Sequence, residues 1–554
     1  MISPPTLSPQ TENHLKALEI KHYTRPGDPD SAEGIRQALD DARQQGIRHL
    51  LFESGCYRLR SSIVHPTQGM VHDAGSSPDI AEKQCHILID GIEGLTLQGA
   101  VTDDGQPATI LAGWNDGQEH GLLPAVLWCE AAPRLTLKNL GFTREPAFTS
   151  AGEIIKTDAT GFTVRVFEDC PEWAGMGVYC ANRFSSDGQT LLGESITYGN
   201  GTDAKWESQG KGLLTLASPA IAAKLTAGEL LSWHQGARTD FQVYIAGCDN
   251  LHLENLRTFN NNGFSLLTEN CHTITARRVV FRPDGNRLFT GPRDAWKIFK
   301  CGGIIDIDGM SIHGVRMDGQ NMHANWLSLK EKISPTELIL HCRYTYAPIL
   351  PGSLIEFYDG IIEHTCTVAS VAMPVEQDKG RLYRVVLREP APDFLNTETM
   401  CAARCWEPDR YLCRNSEFIN IAGAGHLARF GNLSLLNNIY RNTMNPGVLL
   451  GAELPTHCEG GHATNVLIDS CLFDNCGFFP RYKDAAGCVG IYSYGFDAPY
   501  NHDISITNNT FRNARTAIKI RTARDVRIWN NHYENIGERL IVDKNSSRDI
   551  LSLD

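Results

Sequence analysis

Residues 503–533 read DISITNNTFRNARTAIKIRTARDVRIWNNHY, and this run decides the fold. DISIT and DVRIW alternate aliphatic with polar side chains, the period-two pattern of a strand with one buried face. Each ends in an Asn pair, Asn508-Asn509 and Asn530-Asn531, and the pairs are 22 residues apart. Asn tolerates the left-handed backbone of a sharp bend, and stacked copies form polar ladders. A strand and bend repeating at more than 20 residues point to a solenoid.

The same grammar extends in both directions from this run. CHILIDGIEGLTLQGA, RLTLKNLGF, NLHLENLRTF, TITARRVVF, NLSLLNNIY and NVLIDSCLF are short aliphatic segments ending in turn residues, and Leu251 and Ile274 lie 23 residues apart in two of them. A leucine-rich repeat would need a fixed Leu and Asn consensus that these segments lack. The fold expected is all-β: a right-handed parallel β-helix. Before it, residues 28–57 carry one helical pattern, with Ser31 as cap, Ile35, Ala38, Leu39 and Ala42 on one face and Gly46 at the end. Such a helix would cover strand edges at the end of the stack.

Two stretches break the rhythm. GKGLLTL, AAKLTAGELLSW and DFQVYI fall in the first, and TELILHC, PGSLIEFYDG, CTVASVAM and RLYRVVLREP in the second. Both read as antiparallel strands inserted into the solenoid as small barrel-like modules. The expected organisation is a cap with the first coils over 20–154, an insert over 155–245, and central coils over 246–330. A second insert follows over 331–410, and the last coils occupy 411–554.

With 51 Lys and Arg against 64 Asp and Glu, the net charge is -13, which opposes a grip on nucleic acid. No run of 18 apolar residues suggests a membrane span, and the opening MISPPTLSPQTENHLKALEIKHY lacks the basic and apolar regions of a signal peptide. A soluble, cytoplasmic protein is expected, with homo-oligomerisation left open. The 17 Cys form no CxxC pairs, which fits free, mostly buried thiols in a reducing compartment. Walker, GxGxxG, HExxH and GxSxG motifs are absent, so neither a cofactor nor a metal is expected.

The chemistry concentrates in residues 292–326, PRDAWKIFKCGGIIDIDGMSIHGVRMDGQNMHANW. Asp306 and Asp308 in IIDID should face outward while Ile305 and Ile307 pack inside. Asp294 and Asp318 are 24 residues apart, about one coil, which places them on one face about 4.8 Å apart along the stack. Paired carboxylates are electrostatically costly and suited to proton transfer. Inverting glycosidases use two carboxyls about 6.5–9.5 Å apart, one as acid and one to activate water. Arg287, Lys297 and Arg316 are candidates for binding hydroxyl or carboxylate groups, Trp296 and Trp326 for apolar platforms under a sugar ring. Glu459 is a further candidate because Gly460 and Gly461 permit close backbone approach.

These residues resemble the motif of glycoside hydrolase family 110, the bacterial exo-acting α-1,3-galactosidases. Arg287, Asp294-Ala295, Cys301-Gly302, Asn321-Met322-His323 and Glu459-Gly460-Gly461 match its elements. The resemblance implies a right-handed β-helix with inserted barrels, an inverting mechanism on a terminal α-galactoside, and Asn321, His323 and Glu459 at the substrate. It places Asp294 and Asp318 at acidic positions that look suited to handling water. The family's acidic doublet falls on Met317-Asp318, so a thioether stands at the proton donor's position. Its Arg-Gly-Arg-Gly turn is Ala422-Gly423-Ala424-Gly425 here. Two other readings stay open: a lyase or epimerase on uronate polysaccharides using Lys297, Arg316 or Arg287, and a non-catalytic glycan-binding protein.

Overall fold

The computed structural model describes residues 16–66, 82–116, 123–197, 204–236, 241–342, 347–358, 363–372, 382–397, 399–455, 457–479 and 483–554. The chain's opening segment, read above for a leader, lies largely outside them. The body is a parallel β-helix whose strands belong to one continuous 33-stranded sheet. Its register follows the aliphatic pattern from coil to coil. Leu251 pairs with Ile274, Ile274 with Ile305, Ile305 with Tyr411 and Tyr411 with Leu433. Leu433 then pairs with Val466, and the series runs through Ile504 and Val526 to Ile550. Period-two alternation sends every second residue of each coil into a shared interior.

A second column carries an interior stack of rings. Phe418, Tyr440, Phe473, Phe511 and Tyr533 lie with successive centroids 5.0, 4.8, 5.0 and 5.5 Å apart and planes within 14° of parallel. The Asn bends behave as the repeat demanded. Asn442 and Asn475 have φ of 54° in each case. Asn475 donates to Asn442 at 3.0 Å, and Asn442 to Asn420 at 3.1 Å. Each amide therefore satisfies its neighbour along the stack in a backbone conformation that most residues avoid.

The helix Ala32–Gln45 buries Ala32, Ile35, Ala38, Leu39 and Ala42 against the first coils and ends at Gly46 with φ 71°. Its start corrects one expectation. The Ser31 side chain makes no cap bond, and Asp30 does the work instead. Asp30 Oδ1 accepts from the Ala32 N–H at 3.0 Å, and its two oxygens also accept from the Arg60 and Ser61 N–H groups. A carboxylate offers two acceptors where a hydroxyl has one oxygen, so it ties the helix to a strand as well.

Both interruptions are antiparallel, but DFQVYI, read above as part of the first, is a coil strand: Phe241–Ala246 pairs in parallel with Ala125–Glu130 and Phe264–Glu269. The first is a seven-stranded sheet whose strands fall between Thr149 and His234; the second closes into a six-stranded barrel between Leu327 and Ala403. Each has its own apolar core, one around Trp206 and Trp233 and one around Leu340, Phe357 and Tyr383. All 17 Cys are free thiols, most of them buried. Among the described residues no helix is long and apolar enough to cross a membrane.

Candidate active site

The third column of strands positions the site. Trp296–Phe299, Gln320–Asn325, His426–Ala428 and Val448–Leu450 lie side by side, with Trp296 paired to Gln320, Gln320 to His426 and His426 to Val448. Functional side chains sit at the bend just before each strand. There the Ala295 N–H donates to the Asp318 carbonyl, the Gly319 N–H to the Ala424 carbonyl and the Gly425 N–H to the Pro446 carbonyl. Asp294, Asp318 and Ala424 therefore occupy equivalent places on three successive coils.

The two aspartates are bound to one another through the backbone. Asp294 Oδ1 accepts the Asp318 N–H at 3.1 Å, and its Oδ2 accepts from Asn321 Nδ2 at 3.2 Å. Asp318 Oδ1 accepts the Ala424 N–H at 2.7 Å. Gly423 makes that approach possible: a Cβ there would stand 2.4 Å from Asp318 Oδ1 and 2.5 Å from the Met317 carbonyl carbon. Asp294 is buried, whereas Asp318 reaches a cavity.

The cavity, about 260 Å³, is lined by the polar side chains of Glu194, Ser195, Arg316, Asp318 and Asn445. Met317, Ala422, Leu427, Met444, Leu449 and Phe479 supply the apolar part of the lining. The roof belongs to the first insert. Arg316 Nη2 donates to the Thr197 carbonyl at 2.9 Å, and the Leu191 N–H donates to Asn420 Oδ1 at 3.2 Å.

Electrostatics separate the two aspartates. Withdrawal from water raises the Asp318 carboxyl well above the usual range, and the charge of Asp294 raises it further. Burial raises Asp294 too, but the Lys297 and Arg293 charges and its hydrogen bonds pull the other way. At one coil spacing, two ionised carboxylates would repel by about 3 kcal/mol at an effective dielectric of about 20. That is enough to keep one proton on the pair, and Asp318 is its better holder.

Behind this wall runs a buried chain of charges. Glu459 Oε2 accepts from Arg429 Nε at 2.5 Å, and its Oε1 lies 3.6 Å from His323 Nε2. Burial would raise Glu459, but His323, Arg429 and Lys297 outweigh it and bring the carboxyl down to about 2. Burial lowers His323 to about 3, so it is neutral, with Nδ1 donating to the Ala324 carbonyl at 2.8 Å. Among the described residues no group of three His, Cys, Asp or Glu side chains is placed to hold a metal.

Seven of the ten candidate residues come together: Asp294, Lys297, Arg316, Asp318, Asn321, His323 and Glu459. Three do not. Trp296 is fully buried inside the helix core, because its strand position points inward, so it is no sugar platform. Trp326 packs with Tyr358, Ala402 and Tyr500 where the barrel meets the coils. Arg287 donates to the carbonyls of Asp284 and Asp169, tying the first insert to the stack, and lines a different cavity. The exposed ring at the site is Phe479, 47% accessible, which the sequence reading missed. It also missed Glu194, which only the packing of the insert brings here, and Gly423, whose small-residue turn was the available signal. Asp306 and Asp308 are scaffold, paired with Arg277 and Arg414 on the outer face.

No family model matches the chain. Over 332 residues it is 25% identical to alpha-1,3-galactosidase A of Bacteroides fragilis, covering 58% of this chain and 54% of that protein. Over 521 residues it is 22% identical to alpha-1,3-galactosidase B of Bacteroides thetaiotaomicron, covering 86% of this chain and 79% of that one. The chain is a distant relative of the α-1,3-galactosidases of glycoside hydrolase family 110. It spans about half the length of the first of these relatives. Solved structures resemble it more loosely. The catalytic unit of a GH87 alpha-1,3-glucanase from Streptomyces thermodiastaticus is 9% identical with a TM-score of 0.33, covering 97% of this chain and 70% of that one. DFA-IIIase from Arthrobacter chlorophenolicus is 11% identical with a TM-score of 0.35, covering 97% and 94%. The β-helix is therefore read from strand pairing alone.

Proposed function

We propose that the chain is a glycoside hydrolase that removes one terminal sugar, an α-galactoside or a close relative, from an oligosaccharide with inversion at the anomeric carbon. The observation that carries this reading is the Asp294–Asp318 pair, with Asp318 open to a roofed cavity of about 260 Å³. That volume lies just below the roughly 300–1,000 Å³ usual for ligand pockets, which suits a single ring better than a polymer. Phe479, Leu427 and Leu449 offer an apolar surface to one face of the ring, while Arg316 and Asn445 offer donors to its hydroxyls. The names of the distant relatives support the same reaction class.

Asp318 is assigned as general acid. Met317 cannot give a proton, and Asp318 is the carboxyl beside it that holds one near neutral pH. Asp294 keeps that proton in place by its charge and fixes the Asp318 backbone. Proton delivery to the glycosidic oxygen breaks the bond to the anomeric carbon as water enters from the opposite face. A lyase would instead need a base beside a uronate carboxylate. Of the three side chains that reading could use, Lys297 and Arg287 do not line the cavity, and Arg316, which does, is held on the Thr197 carbonyl.

The test is hydrolysis of a panel of α-galactosides and related disaccharides, with the product anomer followed by proton NMR. Wild-type protein should release the inverted sugar, and D318N should lose about 10²–10⁴-fold in kcat/KM on unactivated substrates. The wild-type basic limb should follow Asp318, with activity falling as pH rises through its raised value. Full activity in D318N, or an ultraviolet-absorbing unsaturated product, would sink this reading.

A further inference from the structure

We infer that Gln320, Tyr411 and His426 are positioning residues: a hydrogen-bonded chain inside the β-helix that splices the coil of Asp318 to the coil of Ala424 and so holds the acid in place. The inference rests on the hydrolase reading above and adds residues that touch no substrate.

The second insert creates the need for a splice. The strand that follows Asp318 ends at Asn325, the chain then builds the barrel between Leu327 and Ala403, and the next coil begins at Pro408. Asp318 and the Ala424 N–H that it accepts at 2.7 Å are therefore 106 residues apart in the chain, although they sit on successive coils. Asn420 and Asn442, which bond across the following step of the stack, are 22 residues apart. Continuity of the chain spaces those bends, but it does not space Asp318 from Ala424.

The interior turns polar where that gap lies. Along the third column the inward position reads Leu266, Trp296, Gln320, His426, Val448 and Val489 from coil to coil. In the first column Tyr411 stands between Ile305 and Leu433. Gln320, Tyr411 and His426 are all fully buried, which is costly for polar groups unless they bond to one another. The Tyr411 hydroxyl donates to Gln320 Oε1 at 2.5 Å and lies 3.3 Å from His426 Nε2. On the other side of the ring, the Tyr440 hydroxyl lies 2.9 Å from His426 Nδ1. Burial lowers His426 to about 3, so its ring is neutral and carries one N–H. Because the Tyr411 proton goes to Gln320, that N–H belongs to Nε2 and is donated to Tyr411, and Nδ1 accepts from Tyr440. Donation thus runs in one direction, from Tyr440 through His426 and Tyr411 to Gln320.

This chain lies directly beneath the acid. Gln320 is two residues after Asp318, and His426 two after Ala424. The Gly319 and Gln320 N–H groups donate to the Ala424 and Gly425 carbonyls, each at 2.8 Å, and the bond from Tyr411 to Gln320 ties the same two coils from inside. Burial and then Asp294 raise the Asp318 carboxyl, and the Ala424 N–H opposes them. A slack splice would lengthen that N–H bond and let the carboxyl rise further, so it would hold its proton too tightly to deliver it. The other charged groups near Asp318, Glu459 and Arg429 together with Arg316 and Glu194 of the cavity, lie outside the chain.

The experiment compares wild type with Y411F, Q320M and the double variant, exchanges that nearly conserve volume. On an α-galactoside disaccharide, each single variant should lose about 10–10²-fold in kcat with KM unchanged. The basic limb of its pH profile should move to higher pH, which a loss of stability alone would not produce. The double variant should match the single ones, because both substitutions cut one bond. A basic limb that stays in place in Y411F and Q320M, whatever their melting temperatures, or losses that multiply in the double variant, would overturn the positioning role and leave the hydrolase reading standing. If the wild type cleaves no glycoside, the hydrolase reading falls. Titration of Asp318 by carboxyl-carbon NMR then still decides whether the chain positions it: a higher value in Y411F than in wild type supports the splice, and equal values overturn it.

Discussion

Asp318 is stabilised as an acid at a cost to the folded protein, and the sign of that cost can be worked out. Its folded-state value is raised, chiefly by withdrawal from water and then by Asp294. A carboxyl raised on folding contributes stability at low pH that is lost as pH rises through its folded value. D318N removes the buried charge but keeps the shape. Its melting temperature is expected to match wild type near pH 5 and to exceed it by roughly 1–2 °C near pH 9, as read by calorimetry. A D318N protein less stable than wild type at pH 9 would contradict the assignment. At this scale the sequence was informative about Asp294 and Asp318, because their spacing of one coil is a sequence property. It misread Trp296, since strand phase decides whether a ring faces sugar or core. Glu194 left no local sign at all.

At the level of the element, the bends are as decisive as the strands. Asn442 combines φ of 54° with a bond to Asn420 and another from Asn475. Replacing it by Ala removes two amide bonds and retains a Cβ in a left-handed conformation. N442A should lose about 3–4 kcal/mol in denaturant unfolding, the sum of about 1 kcal/mol for each of the two hydrogen bonds and about 1–2 kcal/mol of backbone strain. N442G relieves the strain and should lose less. Equal losses in the two variants would show that backbone geometry is not what Asn supplies. The helix cap shows the opposite case, in which two adjacent polar residues both fit the sequence pattern. Asp30, not Ser31, took the role because it could also hold the strand at Arg60 and Ser61.

For the whole molecule, one apolar core runs from Leu18 in the first coil to Ile528 near the last, with separate cores in the two inserts. Cysteine is spread through all three. Cys56, Cys405 and Cys458 are partly accessible and the remaining 14 are buried. A thiol reagent should therefore count 17 reactive groups per chain in denaturant and about three fast ones in the native protein. Fewer than 17 in denaturant under non-reducing conditions would reveal disulfides and overturn the reading of free thiols. Burial of this kind also explains why so many Cys occupy aliphatic positions: a thiol packs as a small apolar side chain.

What the sequence determined by itself was the periodic part. Strand alternation, Asn bends and a coil length of 22 to 23 residues are short-range properties, repeated often enough to specify a parallel β-helix and to put Asp294 above Asp318. Only the tertiary structure decided what lines the cavity with Asp318. An insert folds through long-range antiparallel pairing, and its docking depends on a few bonds such as Arg316 to Thr197 and Leu191 to Asn420. No pattern near Glu194 encodes the coil it will rest upon. Its presence in the cavity follows from two elements meeting across more than 100 residues of chain.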